Sequence, residues 1–172
     1  SDTQEMIVDH YDETNKGNAV VTGGKFDADI SKYIPTDYVQ SADGTVEKLG
    51  ETNAVAKVGG TYYKTLADAV AAAQDGDTIT LLKDAELTST LNLAKNITID
   101  GQGKYTIKAA NSFTVGSDNK TYCVLYVSGE VTLKDVTVNG NEKCRVIFCD
   151  KGKLTIDGAT ITNGKAPNFI GG

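Results

Sequence analysis

The chain has no tryptophan, two prolines, three cysteines, one histidine and, in Arg145, one arginine among its 172 residues. Each scarcity removes a class of explanation. With a single arginine, dispersed lysines and a net charge of −6, there is no basic face to hold nucleic-acid phosphates or an anionic membrane surface. No stretch approaches the roughly 20 apolar residues needed to span a bilayer as a helix, so membrane insertion is not expected. The start, "SDTQEMIVDH", lacks a basic-then-apolar signal, so the chain reads as mature or as cut from something longer. Cys123, Cys144 and Cys149 have no metal-ligand spacing and are too few for a disulfide scaffold. Being odd in number, they leave one thiol unpaired or joined to another chain. His10 has no cysteine or serine at a telling distance and reads as a solvated loop residue.

What is abundant is glycine (18 residues), tyrosine (eight residues) and short apolar segments, a mixture that favours strands and turns over long helices. The segments repeat. "EVTLKDVTVNG" at residues 130 to 140 returns 23 residues later as "KLTIDGATITN" at 153 to 163. Aligning "ITLLKD" (79 to 84), "ITIDGQ" (97 to 102), "VTLKDV" (131 to 136) and "LTIDGA" (154 to 159) gives four copies of apolar, Thr, apolar. Side chains alternate across a strand, so Ile79/Leu81, Ile97/Ile99, Val131/Leu133 and Leu154/Ile156 face one way, and Thr80, Thr98, Thr132 and Thr155 the other.

A second strand follows in the later copies, at Tyr105-Thr106-Ile107, Val136-Thr137-Val138 and Ala159-Thr160-Ile161. A third precedes them, at "LNL" (91 to 93), "LYV" (125 to 127) and "IFC" (147 to 149), with Cys149 facing inward. Three short strands per copy, stacked at about 4.8 Å, predict an all-β parallel coil with an apolar interior. The longer gap between the second and third copies predicts a loop at residues 108 to 122, and such loops often carry binding.

Unpaired strand edges invite other chains, so the first coil needs a cover. "VAKVGGTYY" reads as a hairpin turning at Gly59-Gly60. In "TLADAVAAAQDG", Thr65 and Asp68 have capping-box spacing, Leu66, Val70 and Ala73 share a helical face, and Gly76 stops the helix. The predicted organisation is residues 1–50 as a terminal coil and hairpin, 51–78 as a capping hairpin and helix, and 79–172 as coils with an open C-terminal end. Within the first segment, Ile30, Tyr33 and Ile34 fit a helical turn stopped by Pro35. Asp43-Gly44 turns a hairpin between Tyr38-Val39 and Val46.

"YYKTLADAVAAAQDGDTITLLKD", followed by Thr-rich copies with Asn/Gly turns, resembles the N-terminal cap and first turns of pectate-lyase-like right-handed β-helices in large secreted or wall-attached bacterial surface proteins. The resemblance covers roughly residues 52 to 172, and it implies an extracellular or cell-surface location. "AVVTGGKFDADISKYIPTDYVQSADGTVEKL" (19 to 49) resembles the last coil and closing hairpin of such a helix, placed before the first coil. Residues 1–50 then pack on their own chain, or on the open end of another copy as a head-to-tail assembly.

Enzymes on this fold use clustered carboxylates with calcium or a basic residue. The matching positions here are Asp100, Lys134 and Asp157, which read more simply as an exposed acid-base-acid ladder. No catalytic constellation is read from the sequence. Tyr126 and Phe148 occupy equivalent outward positions on adjacent coils. They form either a platform for a sugar ring or protein loop, or a pair covered by residues 108–122 or by the N-terminal segment.

"VGSDNKTY" and "QDGDT" gather oxygens that calcium accepts, without the spacing of a calcium loop, and read as turns. No cofactor is expected. Cys123 and Cys144 lie near equivalent edges of neighbouring coils and either form a disulfide or remain thiols. Three functional classes follow: a non-catalytic stalk or adhesin-like module that presents or binds glycan or host or cell-surface protein, a polysaccharide lyase or hydrolase or its accessory domain, and a self-assembling structural repeat.

Overall fold

A computed structural model of the chain describes residues 19–166, and these divide into two compact units between Asn53 and Ala54. The first unit contains β1 (Gly24–Lys25), a 3₁₀ turn at Ser31–Tyr33, β2 (Tyr38–Gln40) and β3 (Thr45–Lys48). β3 lies between β1 and β2 and runs antiparallel to both. The Asp43 carboxylate shapes the predicted turn by accepting from the Thr45 N–H (3.1 Å) and hydroxyl (2.9 Å). Those bonds to Thr45, with Lys25 adding to them, hold its acidity above that of an ordinary aspartate. Ile30, Tyr33 and Val46 form a small core of their own.

The second unit begins with the antiparallel hairpin β4 (Ala56–Val58) and β5 (Thr61–Tyr63), followed by helix α1 (Leu66–Ala72). Thr65 caps α1: its Oγ1 accepts from the Asp68 N–H at 3.0 Å and donates to Asp68 Oδ2 at 2.7 Å. The other end of the helix is capped from 22 to 25 residues away. The Lys95 ammonium donates to the carbonyls of Val70 (3.1 Å), Ala71 (2.7 Å) and Ala73 (2.6 Å), the orphan acceptors of a helix C-terminus. Leu66, Ala69, Val70 and Ala73 are buried, so the helix lays one face on the strands.

The remaining strands are β6 (Thr78–Leu81), β7 (Ala85–Leu87), β8 (Leu91–Leu93), β9 (Ile97–Asp100), β10 (Thr106–Ala109), β11 (Cys123–Val127), β12 (Glu130–Lys134), β13 (Thr137–Asn139), β14 (Arg145–Cys149), β15 (Lys153–Asp157) and β16 (Thr160–Thr162). They form three sheets with orders β16-β13-β10-β7, β14-β11-β8 and β15-β12-β9-β6-β4-β5. From β6 onward every ladder is parallel, and consecutive strands go to different sheets, so each copy of the repeated phrase adds one strand to each. Ile79, Leu81, Ile99, Ile107, Leu125, Leu133 and Val138 are fully enclosed, the inward positions read from the alternation. Adjacent copies approach through bare backbone at two glycines. A Cβ on Gly129 would lie 2.4 Å from the Lys95 oxygen, and one on Gly152 would lie 2.4 Å from the Gly129 oxygen.

Four details differ from the sequence reading. Ile79 pairs with Ile99, not Ile97, so the column of aligned threonines is Thr78, Thr98, Thr132 and Thr155. A shift of two preserves the pleat, and the turn before β6 decides it: Gly76 N–H donates to the Asn96 carbonyl (2.7 Å), and Asp75 Oδ1 accepts from Asn96 N–H (2.8 Å). β7 was not expected, since only Ala85 and Leu87 signal it. Cys149 is exposed instead of in the core, and Ile156 and Ile161 are 46% and 41% exposed, because these residues face past the last described copy. The loop between β10 and β11 starts at residue 110, and its Ala110 and Phe113 are buried.

Candidate functional site

Tyr126 and Phe148 project from the sheet β14-β11-β8, where the register aligns Asn92, Tyr126 and Phe148. Tyr126 and Phe148 are register partners that alternate with Leu125/Ile147 and Val127/Cys149, which by the pleat puts both rings on one face of the sheet. The rings stack with centroids 6.2 Å apart and planes inclined by 16°. The Tyr126 hydroxyl donates to Asp150 Oδ2 at 3.0 Å. Burial pushes the phenol's pKa above its usual value, and the Asp150 carboxylate pushes it in the same direction.

The surrounding cations come from the loop and from β14. Lys120 Nζ lies 5.8 Å from the Tyr126 ring, and the Arg145 guanidinium lies 5.5 Å from the Phe148 ring and 5.9 Å from Tyr122. Arg145 Nη1 donates to Asn119 Oδ1 at 3.0 Å, tying the strand to the loop tip. Asp118 shapes that tip by accepting from the N–H of Lys120 (2.8 Å), and from the N–H (2.9 Å) and hydroxyl (3.0 Å) of Thr121. Tyr126 is only 9% exposed, whereas Phe148 is half-buried. The accessible part of the pair is therefore Phe148 with Arg145 beside it, and the buried Tyr126 ring stacks against Phe148. This surface can take a sugar face or an aromatic or acidic side chain by stacking and charge. The single arginine of the chain, which the sequence reading used only to exclude a basic face, was the signal for it.

Asp100 and Lys134 are opposite each other across β9 and β12, and the Lys134 ammonium meets Asp100 Oδ2 at 3.2 Å. Asp100 Oδ1 accepts from the Gln102 N–H at 2.7 Å, so both carboxylate oxygens are engaged. The bond to Asp100 also raises the Lys134 pKa. Asp157 follows on β15, with its backbone carbonyl accepting from the Asp135 N–H at 2.8 Å. The row is an ion pair and a neighbouring acid, held by their own contacts.

A cleft of about 230 Å³, not foreseen from the sequence, borders the threonine column, lined by Asn96, Thr98, Glu130, Thr132, Lys153 and Thr155 among others. Asn96 Oδ1 already accepts from the Glu130 N–H at 3.1 Å.

Cys123 and Cys144 are free thiols and fully buried. Burial raises both to about 11, and for Cys123 the neighbouring Cys144 adds to the shift. In the two calcium-type stretches, Asp118, Asp75 and Asp77 spend their carboxylates on backbone N–H groups of turns. Among the described residues no group of three or more His, Cys, Asp or Glu side chains gathers to hold a metal, and no helix is long and apolar enough to cross a membrane. His10 lies outside the described residues. The chain matches no family model, no curated protein and no solved structure.

Proposed function

We propose that residues 79–166 form successive turns of a right-handed parallel β-helix, as in pectate-lyase-like bacterial surface proteins. The chain then serves as a non-catalytic extracellular repeat module that presents or binds a glycan or a cell-surface protein. One observation carries this reading: the outward row Asn92, Tyr126, Phe148 places a stacked aromatic pair beside the only arginine. Aromatic rings with a flanking guanidinium are the chemistry of stacking recognition. The alternative, a lyase or hydrolase using Asp100 and Asp157, is supported less, since Asp100 is neutralised by Lys134 and capped by Gln102.

The test is a screen of acidic and neutral oligosaccharides and of surface proteins against the full chain, repeated with Phe148→Ala. Phe148 is half-buried, so its truncation leaves the fold intact, whereas Tyr126→Ala also removes a buried ring. Binding that is lost on Phe148→Ala supports the reading, and binding untouched by it refutes the site.

A further inference from the structure

The cleft beside the threonine column is used by neither the aromatic pair nor the ion-pair row. All of its lining residues belong to the second unit, and it is centred on β12, a strand paired on both sides. Ile97, Ile99, Val131 and Leu133 are buried, so Thr98 and Thr132 between them point away from the core by alternation. Two rows of side chains cross the cleft. Thr98, Thr132 and Thr155 are aligned in one. In the other, Glu130 stands opposite Lys153 on one side, and on the other side opposite Asn96, the residue before Ile97.

These side chains are not engaged with one another. The hydroxyls of Thr98, Thr132 and Thr155, the Glu130 carboxylate and the Lys153 ammonium have no hydrogen-bond or ion-pair partner among the described residues. The contrast lies on the same strands, where Lys134 and Asp100, also opposite charges at facing positions, close to 3.2 Å. Glu130 and Lys153 are separated by one strand step of about 4.8 Å, yet they leave the acceptor and the donor apart. Asn96 is held firmly at the rim: its N–H donates to Asp75 Oδ1 (2.8 Å), its carbonyl accepts from the Gly76 N–H (2.7 Å) and its Oδ1 accepts from the Glu130 N–H (3.1 Å). Its Nδ2 is left as a donor without a partner among the described residues. Gly76 closes that end with bare backbone, and a Cβ there would meet nothing within 4 Å.

The set of groups selects its ligand. A carboxylate only accepts, an ammonium only donates, and a hydroxyl does both, so adjacent ligand hydroxyls can satisfy all three kinds at once. A ligand of either net charge is opposed by Glu130 or by Lys153. One carboxylate is too few for a divalent cation, and no aromatic ring lines the cleft to stack on. The volume of about 230 Å³ lies below the roughly 300–1,000 Å³ of drug-sized pockets and suits a single small unit. We propose that this cleft binds one neutral sugar unit, whose adjacent hydroxyls donate to the Glu130 carboxylate and accept from Lys153 and Asn96 Nδ2, with the threonine hydroxyls beneath the ring. The aromatic pair projects from a different sheet, so this site does not depend on what the Phe148 face binds.

The experiment is a nuclear magnetic resonance titration of the full chain carrying Phe148→Ala, which removes the aromatic face, with maltotriose, cellotriose and mannotriose in turn and glycine as a zwitterionic control. The expected result is that at least one trisaccharide shifts the amides of Thr98, Glu130 and Thr132 saturably while glycine does not. Adding Glu130→Gln, which keeps the shape and removes the charge, should weaken that binding about tenfold. Adding Thr132→Val, which keeps the branched shape and removes a hydroxyl with no internal partner, should weaken it about fivefold. Circular dichroism checks that both variants keep the fold. The proposal is overturned if none of the three sugars shifts these amides, if glycine shifts them as strongly, or if both variants bind as before.

Discussion

Ile99 and Ile156 hold the same place in their copies of the phrase, each flanking Leu133, yet they differ in environment. Ile99 is fully enclosed between Ile79 and Leu133, while Ile156 is 46% exposed and has a paired neighbour on one side only. Isoleucine to alanine removes three carbons, about 2.4 kcal/mol of transfer free energy at about 0.8 kcal/mol per buried methylene. At Ile99 the enclosed cavity adds to this, for a total of about 3 to 4 kcal/mol. At Ile156 about half the transfer is lost and no closed cavity forms, for about 1 kcal/mol. With a urea slope of about 2 kcal/mol/M, Ile99→Ala lowers the unfolding midpoint by roughly 1.5 to 2 M and Ile156→Ala by roughly 0.5 M. Urea titration followed by far-UV circular dichroism at low micromolar protein reads both. Equal midpoints for the two variants would refute the assignment of Ile156 to an uncovered end.

Lys95→Met removes a charged donor from three helix carbonyls and should cost about 1 to 3 kcal/mol, measured as a shift in urea midpoint. Gly129→Ala places a methyl group against the Lys95 and Ala94 backbone, so it should destabilise by several kcal/mol or prevent folding, visible as loss of soluble protein. Asp100→Asn breaks a partly exposed pair and should change stability by no more than about 1 kcal/mol at any salt concentration. The buried thiols Cys123 and Cys144 are raised to about 11 from an ordinary value of 9.0. The neutral thiol is favoured by folding, so this stability is fully present below pH 9 and is lost as pH rises toward 11. Thermal melts from pH 7 to 11 should fall in that window. At pH 8 a thiol reagent should label Cys149 well before Cys123 and Cys144, and equal labelling would contradict their burial.

The apolar-Thr-apolar alternation was legible because its period of two is the pleat itself, and the ladders join Val131 to Ile97 and Leu154 as the aligned phrases require. The capping helix was legible from Thr65 and Asp68 for the same local reason. What the sequence concealed depends on contacts far along the chain. The first register was off by two, since both alignments bury the same face and only Asp75 and Gly76 meeting Asn96 selects between them. Lys95 as the cap of α1 has no local signature. The inward reading of Cys149 followed from alternation alone, and the structure leaves that position exposed. At the aromatic pair, the outward placement of Tyr126 and Phe148 followed from alternation. The burial of Tyr126 has no local signature, and from the loop the structure places Lys120 over its ring and joins Asn119 to Arg145.

The most direct test of the functional reading is a nuclear magnetic resonance titration of the full chain with an oligosaccharide or protein found to bind it. The account predicts shifts centred on Phe148, Arg145 and Tyr122, with the ligand recovered intact. Shifts centred on Asp100, Lys134 and Asp157, accompanied by cleavage of the ligand, would contradict it.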